Sequence, residues 1–89
     1  MGRIMDPEKL IARMKRIEGQ ARGIQRMISK GEECEKIVIQ LAAMKAAINK
    51  VAVNLVGCFM ADAIVEQLQN SGDVTEALRK ASKVMSKLS

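Results

Sequence analysis

The chain has 89 residues, enough for one small domain, and a formal net charge of +5. It contains two cysteines and no histidine, which excludes a disulfide framework and a Cys/His zinc site. Nearly half of the residues are apolar, yet Phe59 is the only aromatic one, so a helical bundle is favoured over a sheet. The scarcity of aromatic rings also argues against a protein that binds single-stranded nucleic acid by stacking its bases on aromatic side chains.

The positive charge is concentrated near the N-terminus. The first 30 residues hold eight basic and three acidic side chains, and the remaining residues hold seven of each. A one-sided basic field attracts polyanions, of which DNA is the commonest in the cytosol. Because no apolar signal core stands at the N-terminus, we expect a cytoplasmic protein with reduced thiols.

The first predicted helix runs from about residue 7 to residue 30. Asp6 and Pro7 form a helix start, since Asp accepts first-turn N–H groups and Pro fits the first helical position. Gly31 is the predicted stop. Apolar residues between them recur at alternating spacings of four and three, as in a single stripe: Leu10, Met14, Ile17, Ala21, Ile24 and Ile28.

A second helix is predicted from about residue 32 to residue 69, and at 1.5 Å per residue it would be a rod of roughly 55 Å. Between Ile37 and Ala61 only Lys45 and Lys50 are charged, so most of its circumference is apolar. One short helix on either side cannot cover that surface. We therefore expect an obligate homodimer at least, with a second copy against the rod.

A membrane-spanning helix is not expected in this rod. Asn54 and Asp62 interrupt its most apolar run, and Lys50 bounds it, so no uncharged span of about 20 residues remains. The chain is therefore predicted to have no membrane partner.

The third predicted helix covers about residues 74 to 88. The run Asn70-Ser71-Gly72-Asp73 is a turn, and Asp73 with Glu76 forms an Asp-x-x-Glu capping pattern. The predicted fold is all-α, a three-helix protomer with a long central helix in one domain that spans residues 1–89.

Two segments carry a specific motif. The first is residues 13–24, RMKRIEGQARGI, and the second is Cys34 followed by residues 40–50, QLAAMKAAINK. Together they resemble the CsoR/RcnR family of metal- or persulfide-responsive transcriptional repressors, over roughly residues 6 to 85. The resemblance implies an antiparallel dimer, commonly a dimer of dimers (a homotetramer). It also implies a repressor that releases double-stranded operator DNA when an effector binds.

In that family a basic residue in each of the first two helices is implicated in operator binding, and these positions match Arg13 and Lys50. Lys9 and Arg16 flank Arg13 on one helical face. A second basic stripe consists of Lys15, Arg22, Arg26 and Lys30. The charges alone fit a solvated helix face, but the charge asymmetry and the motif together favour phosphate contacts. No residue stands out as a reader of bases, so recognition can rest on DNA shape.

The two cysteines stand 24 residues apart on one predicted helix. That spacing corresponds to roughly 36 Å along the axis, so Cys34 and Cys58 cannot share a ligand within one chain. In an antiparallel dimer the start of one long helix lies beside the end of its mate. A site that uses both thiols must then combine Cys34 with Cys58 of the partner subunit, which would couple effector binding to quaternary shape.

The ligand positions of the family differ here. Metal-sensing members use Cys-His-Cys or related sets, and the positions that accompany Cys34 fall on Phe59 and Ala63, which cannot ligate. A trigonal Cu(I) site of the usual kind is therefore disfavoured, and Ni(II) or Co(II) sensing more so, because the chain has no histidine.

Three interpretations of the cysteines remain open. In the first, the pair senses persulfide, and oxidised sulfur bridges Cys34 to a thiol of the partner subunit. In the second, Cu(I) is held by Cys34, Cys58 and a methionine such as Met60 or Met44, since thiolate and thioether ligands suit it. In the third, Cys58 is a buried small hydrophobe, and only Cys34 or neither thiol reacts.

Two other classes of function are compatible with a small helical chain or must be compared with it. A helical interaction or scaffold protein without operator binding would keep the same bundle, and a DNA-binding assay separates it from a repressor. An enzyme is not expected, because the chain has no histidine, no Ser/Cys–base pair and no carboxylate pair in a recognisable cleft.

Overall fold

The chain is built of three helices. A computed structural model describes residues 6–70 and 72–88, and it contains α1 (Pro7–Ser29), α2 (Cys34–Asn70) and α3 (Thr75–Ser86). No strand occurs among these residues. The predicted all-α protomer with a long central helix is confirmed, and each predicted helix end lies within two residues of the observed one. Residues 1–5, Ser71 of the predicted turn, and Ser89 lie outside the described residues.

The end of α1 is determined by Gly31, whose φ is +73°. The Gly31 N–H donates to the carbonyl of Ile28 at 3.1 Å, and the Glu32 N–H donates to the carbonyl of Met27 at 3.0 Å. This pair of bonds satisfies the last carbonyls of a helix whose next residue is left-handed. Glycine adopts that conformation without a Cβ penalty, and the predicted stop is confirmed.

The start of α3 is held by Asp73, whose Oδ1 accepts the Thr75 backbone N–H at 2.9 Å. This hydrogen bond is the main reason why the pKa of Asp73 lies below its ordinary value. Glu76, the other half of the predicted capping pattern, instead forms a two-point ion pair with Arg79, with Nε to Oε2 at 3.1 Å. The hydrogen bond from Arg79 also lowers the pKa of Glu76.

The described residues form two compact units that divide within α2, between Val51 and Ala52. In the unit formed by residues 8–51, α1 buries every second member of its predicted stripe, Leu10, Ile17 and Ile24. In the unit that contains residues 52–89, the buried side chains are Val56, Cys58, Ala77 and Ala81. The prediction that the chain is a single domain stays a prediction.

Much apolar surface remains open in the single chain. On the first half of α2, Val38 is 60% exposed and Ile39 is 58% exposed, and on α1 Ile28 is 60% exposed. By length and composition alone, α2 is long and apolar enough to cross a membrane. Its most apolar window has a mean hydropathy of 1.5, and 17% of that window is buried. Contiguous apolar surfaces of this kind are typical of interaction sites, so the expectation that a second copy covers α2 stays a prediction.

The glycines offer a matched test of the fold. We expect Gly31→Ala to lower the free energy of unfolding by about 1–2 kcal/mol, because a Cβ is strained at positive φ. Gly19 lies in the middle of α1, and a Cβ there meets nothing within 4 Å. Gly19→Ala should therefore raise the free energy of unfolding by roughly 0.5–1 kcal/mol. Urea unfolding followed by circular dichroism, at one chain concentration, measures both.

Two results would contradict these expectations. An unchanged stability of Gly31→Ala would mean that the turn after α1 is not left-handed. A loss of stability in Gly19→Ala would mean that a second chain packs against this face of α1.

Candidate nucleic-acid interface and cysteine positions

A groove between α1 and α2 lies within the unit formed by residues 8–51 and has a volume of about 310 Å³. On α1 its lining residues follow the three- and four-residue spacing of one helix face, and on α2 they stand three apart. They are Arg13, Arg16, Ile17 and Gln20 from α1, with Ala47 and Lys50 from α2.

The groove concentrates positive charge. Three of its lining side chains are cationic and none is acidic. Within residues 6–70 and 72–88, Arg13, Arg16 and Lys50 form no ion pair that would neutralise them. The apolar part of the lining comes from Ile17, which is 7% exposed, and Ala47. Cations above a low-dielectric wall focus an electric field, so the groove is suited to an anion.

The structure brings together three of the sequence-predicted DNA-binding residues, Arg13, Arg16 and Lys50. It adds Gln20, which the sequence analysis missed because only charged side chains were considered. The signal was present: Gln20 is one turn beyond Arg16 and two turns beyond Arg13, on the same face.

The other predicted basic residues do not line the groove. Lys9, Lys15 and Arg22 are exposed on α1. Lys9 is one turn before Arg13 on the same face. Lys15 and Arg22 lie about 160–180° around the helix from Arg13, at 100° per residue. A ligand in the groove can therefore extend toward Lys9, whereas Lys15 and Arg22 face another direction.

The two cysteines have different surroundings. Cys34 is the first residue of α2 and is exposed, whereas Cys58 is buried, with 3% of its surface exposed. The Sγ of Cys58 lies 3.9 Å from Oδ2 of Asp62, one turn further along α2, as a weak thiol donor. A reagent in solution reaches Cys34 directly and reaches Cys58 only after a local opening.

The all-α fold and the cationic groove without neutralising acids together define a class of protein: a helical protein that is suited to binding polyanions. The family model described as metal-sensitive transcriptional repressor matches residues 6–87 of the chain. The chain belongs to this family of transcriptional repressors, which confirms the resemblance found in the sequence.

Individual relatives agree with this assignment. The copper-sensing transcriptional repressor CsoR of Bacillus subtilis is 33% identical over 82 residues, which cover 92% of this chain and 80% of that protein. The copper-sensing transcriptional repressor RicR of Mycobacterium tuberculosis is 31% identical over 77 residues, covering 85% and 80%. The solved structure of the nickel-responsive transcriptional regulator InrS has a TM-score of 0.80 at 26% identity, covering 96% of this chain and 94% of that one. These relatives are repressors or regulators and not enzymes, as predicted.

The donor atoms of one chain do not fit the metal that the family name implies. Residues 6–70 and 72–88 hold no group of three His, Cys, Asp or Glu side chains that could bind a metal ion. Met60 lines an apolar cavity of about 300 Å³ with residues of α3. It is two residues from Cys58, about 200° around the helix, so these two sulfur atoms do not share a face. Donors from a second chain would be needed.

The different exposure of the two thiols predicts different reactivity. Under native conditions we expect iodoacetamide to alkylate Cys34 at least about tenfold faster than Cys58, because Cys58 must first be exposed by local opening. Intact mass spectrometry with peptide mapping over time measures both rates. In denaturant the two rates should converge, and equal rates in the native protein would contradict the burial of Cys58.

Proposed function

We propose that the chain is a repressor that binds double-stranded operator DNA through its basic groove and releases it when Cys34 is chemically modified. The groove carries this proposal, because it gathers Arg13, Arg16 and Lys50 from two helices with no neutralising acid in its lining. The repressor would act in the cytoplasm as a homodimer or homotetramer.

Phosphate contacts account for this choice of residues. Arginine and lysine side chains neutralise backbone phosphates and release condensed counterions, which supplies much of the binding free energy. Lys9 would extend the contact along the face of Arg13. Lys15 and Arg22, on another face of α1, are proposed as secondary contacts to the DNA or to a neighbouring segment of it.

A second copy of the chain is needed for two reasons. It would cover the apolar surface of α2, on which Val38, Ile39 and Ile48 are at least 45% exposed. An antiparallel partner would also place Cys34 near Cys58 of the partner subunit, since these residues stand toward opposite ends of the helix. The composite site would then respond to the arrangement of the two chains.

The effector that the residues favour is a persulfide or polysulfide. The Cys34 thiolate attacks a sulfane sulfur of the polysulfide, a sulfur–sulfur bond of the polysulfide breaks, and the shortened polysulfide leaves. The resulting persulfide of Cys34 can then be attacked by the thiolate of Cys58 of the partner subunit, which forms a disulfide and expels hydrosulfide. This chemistry needs two thiols and no histidine.

Cu(I) is the second candidate effector, because two of the relatives are copper-sensing. It would require Cys34 with a sulfur donor from the partner subunit, either Cys58 or Met60, because these two residues lie on different faces of α2. The burial of Cys58 supports a third arrangement, in which Cys34 alone is modified.

The DNA interface is tested by removing one cation at a time. Arg13→Ala and Lys50→Ala should each weaken binding to the chain's own upstream DNA by about tenfold or more. Each should also reduce the slope of log affinity against log salt by about one, because one phosphate contact is lost. Fluorescence anisotropy at several salt concentrations measures both effects, with helicity checked by circular dichroism.

Lys83→Ala is the matched control, because Lys83 is an exposed lysine on α3 outside the groove. If it weakens binding as much as Arg13→Ala does, the groove is not the interface. If the unaltered protein gives no salt-dependent, sequence-selective binding at all, the chain is instead a helical interaction or scaffold protein.

The sensor is tested by treating the DNA complex separately with polysulfide and with Cu(I). We expect polysulfide to release the DNA and to add sulfur at Cys34 or link two chains, which intact mass spectrometry detects. Cys34→Ala should remain bound to DNA under the same treatment. Cys58→Ala separates a bridge from modification of Cys34 alone, because only the bridge needs a second thiol.

Two outcomes would redirect the proposal. Release by Cu(I) but not by polysulfide, with one Cu(I) per composite site, would identify copper as the effector. A response of Cys34→Ala equal to that of the unaltered protein would exclude Cys34 as the sensor.

A further inference from the structure

One polar side chain in the groove carries no charge. Gln20 is half-buried, and it forms no side-chain hydrogen bond within the described part of the chain. Its carboxamide offers two N–H donors and one acceptor oxygen. Buried polar side chains usually have hydrogen-bond partners. Because the carboxamide of Gln20 has none within the described residues, it is available to a ligand in the groove.

We propose that the groove is a discrete site for one phosphate-type oxyanion, in which an N–H of Gln20 completes the donors of Arg13, Arg16 and Lys50. The inference rests on the proposed function, because the occupant in the DNA complex is a backbone phosphodiester. Free inorganic phosphate has the same chemistry and competes for the same place.

The size and lining of the groove fit such an occupant. A volume of about 310 Å³ equals that of roughly ten liquid waters, which is enough for a phosphate group and part of the adjoining sugars. Its charged side chains only donate, and the oxygens of a backbone phosphodiester only accept. Ile17 and Ala47 contribute no donor or acceptor side chain that would compete.

A discrete site differs from a diffuse basic surface in what a neutral residue contributes. On a diffuse surface only the net charge determines the affinity for DNA, so Gln20 would contribute nothing to binding. In a discrete site a carboxylate at position 20 would itself occupy the groove, held by the three cations. Gln25 provides the matched control, because it is an exposed glutamine on α1 outside the groove.

The first experiment measures DNA affinity by fluorescence anisotropy. We expect Gln20→Glu to weaken binding at least about tenfold more than Gln25→Glu does, although both change the net charge by one. Equal effects of the two variants would overturn the discrete site and leave the proposed function standing. Absence of DNA binding by the unaltered protein would instead overturn the proposed function.

A second pair of variants changes the size of a side chain in or beside the groove and leaves the net charge unchanged. Ala47→Met narrows the groove and should weaken DNA binding several-fold, whereas Ala46→Met changes an exposed neighbour that is outside the lining. Circular dichroism and sedimentation identify any variant that fails to fold or assemble. Equal DNA affinity of the two folded methionine variants would count against an occupant inside the groove.

The third experiment uses inorganic phosphate in the absence of DNA. In NMR titrations at constant ionic strength, the side-chain amide signals of Gln20 should shift and saturate with phosphate but not with chloride. Gln25→Glu should retain saturable binding, followed on the arginine side-chain signals, and Gln20→Glu should lose it. Responses to phosphate and chloride that are equal and do not saturate would overturn the proposal. Saturable phosphate binding by a protein that does not bind DNA would support the oxyanion site and contradict only the proposal that its occupant is a DNA phosphate.

Discussion

The apolar surface of α2 is the constraint on which the rest of the structure depends. Among its 37 residues only Val51, Val56 and Cys58 are buried in the single chain. The stripes of α1 and α3 are too narrow to cover a helix that is apolar around most of its circumference. Full burial of a large exposed apolar side chain contributes about 1.5–3 kcal/mol, so a second copy would gain roughly half of that from each half-exposed side chain that it covers. Association is therefore part of how we expect this chain to become stable, and the cysteine site follows from it.

The same helix connects the two activities that we propose. Lys50 belongs to the groove and lies on α2, which begins at Cys34 and also carries Cys58. The groove is complete within residues 8–51 of one chain, whereas a site with both thiols needs two chains. A change in how two copies of α2 pair would therefore move two intact grooves relative to each other. Such a movement alters how well they match the phosphates of one duplex, which is a physical basis for release.

The sequence predicted the helices well because their signals are local. Pro7 and Gly31 each act within one or two turns, and both predicted positions were confirmed, whereas only alternate members of the apolar stripe are buried. The start of α2 was placed two residues early because the Glu32 N–H bonds back to Met27 and so completes the end of α1. The gathering of Arg13, Arg16 and Lys50 depends on the packing of two helices, which only the family motif anticipated. Gln20 was missed for a different reason: it carries no charge, although helical spacing places it on the same face as Arg13 and Arg16.

The two thiols would divide the sensing chemistry that we propose into steps of different accessibility. Cys34 is exposed at the start of α2, so the proposed first attack on a sulfane sulfur would need no movement of the protein. Cys58 is 3% exposed, so a bridge to it needs a local opening whose free energy adds to the barrier. A brief exposure to polysulfide would then modify Cys34 alone, whereas a sustained exposure would also form the bridge. On this proposal, the burial of one thiol would make the response depend on how long the effector persists as well as on its concentration.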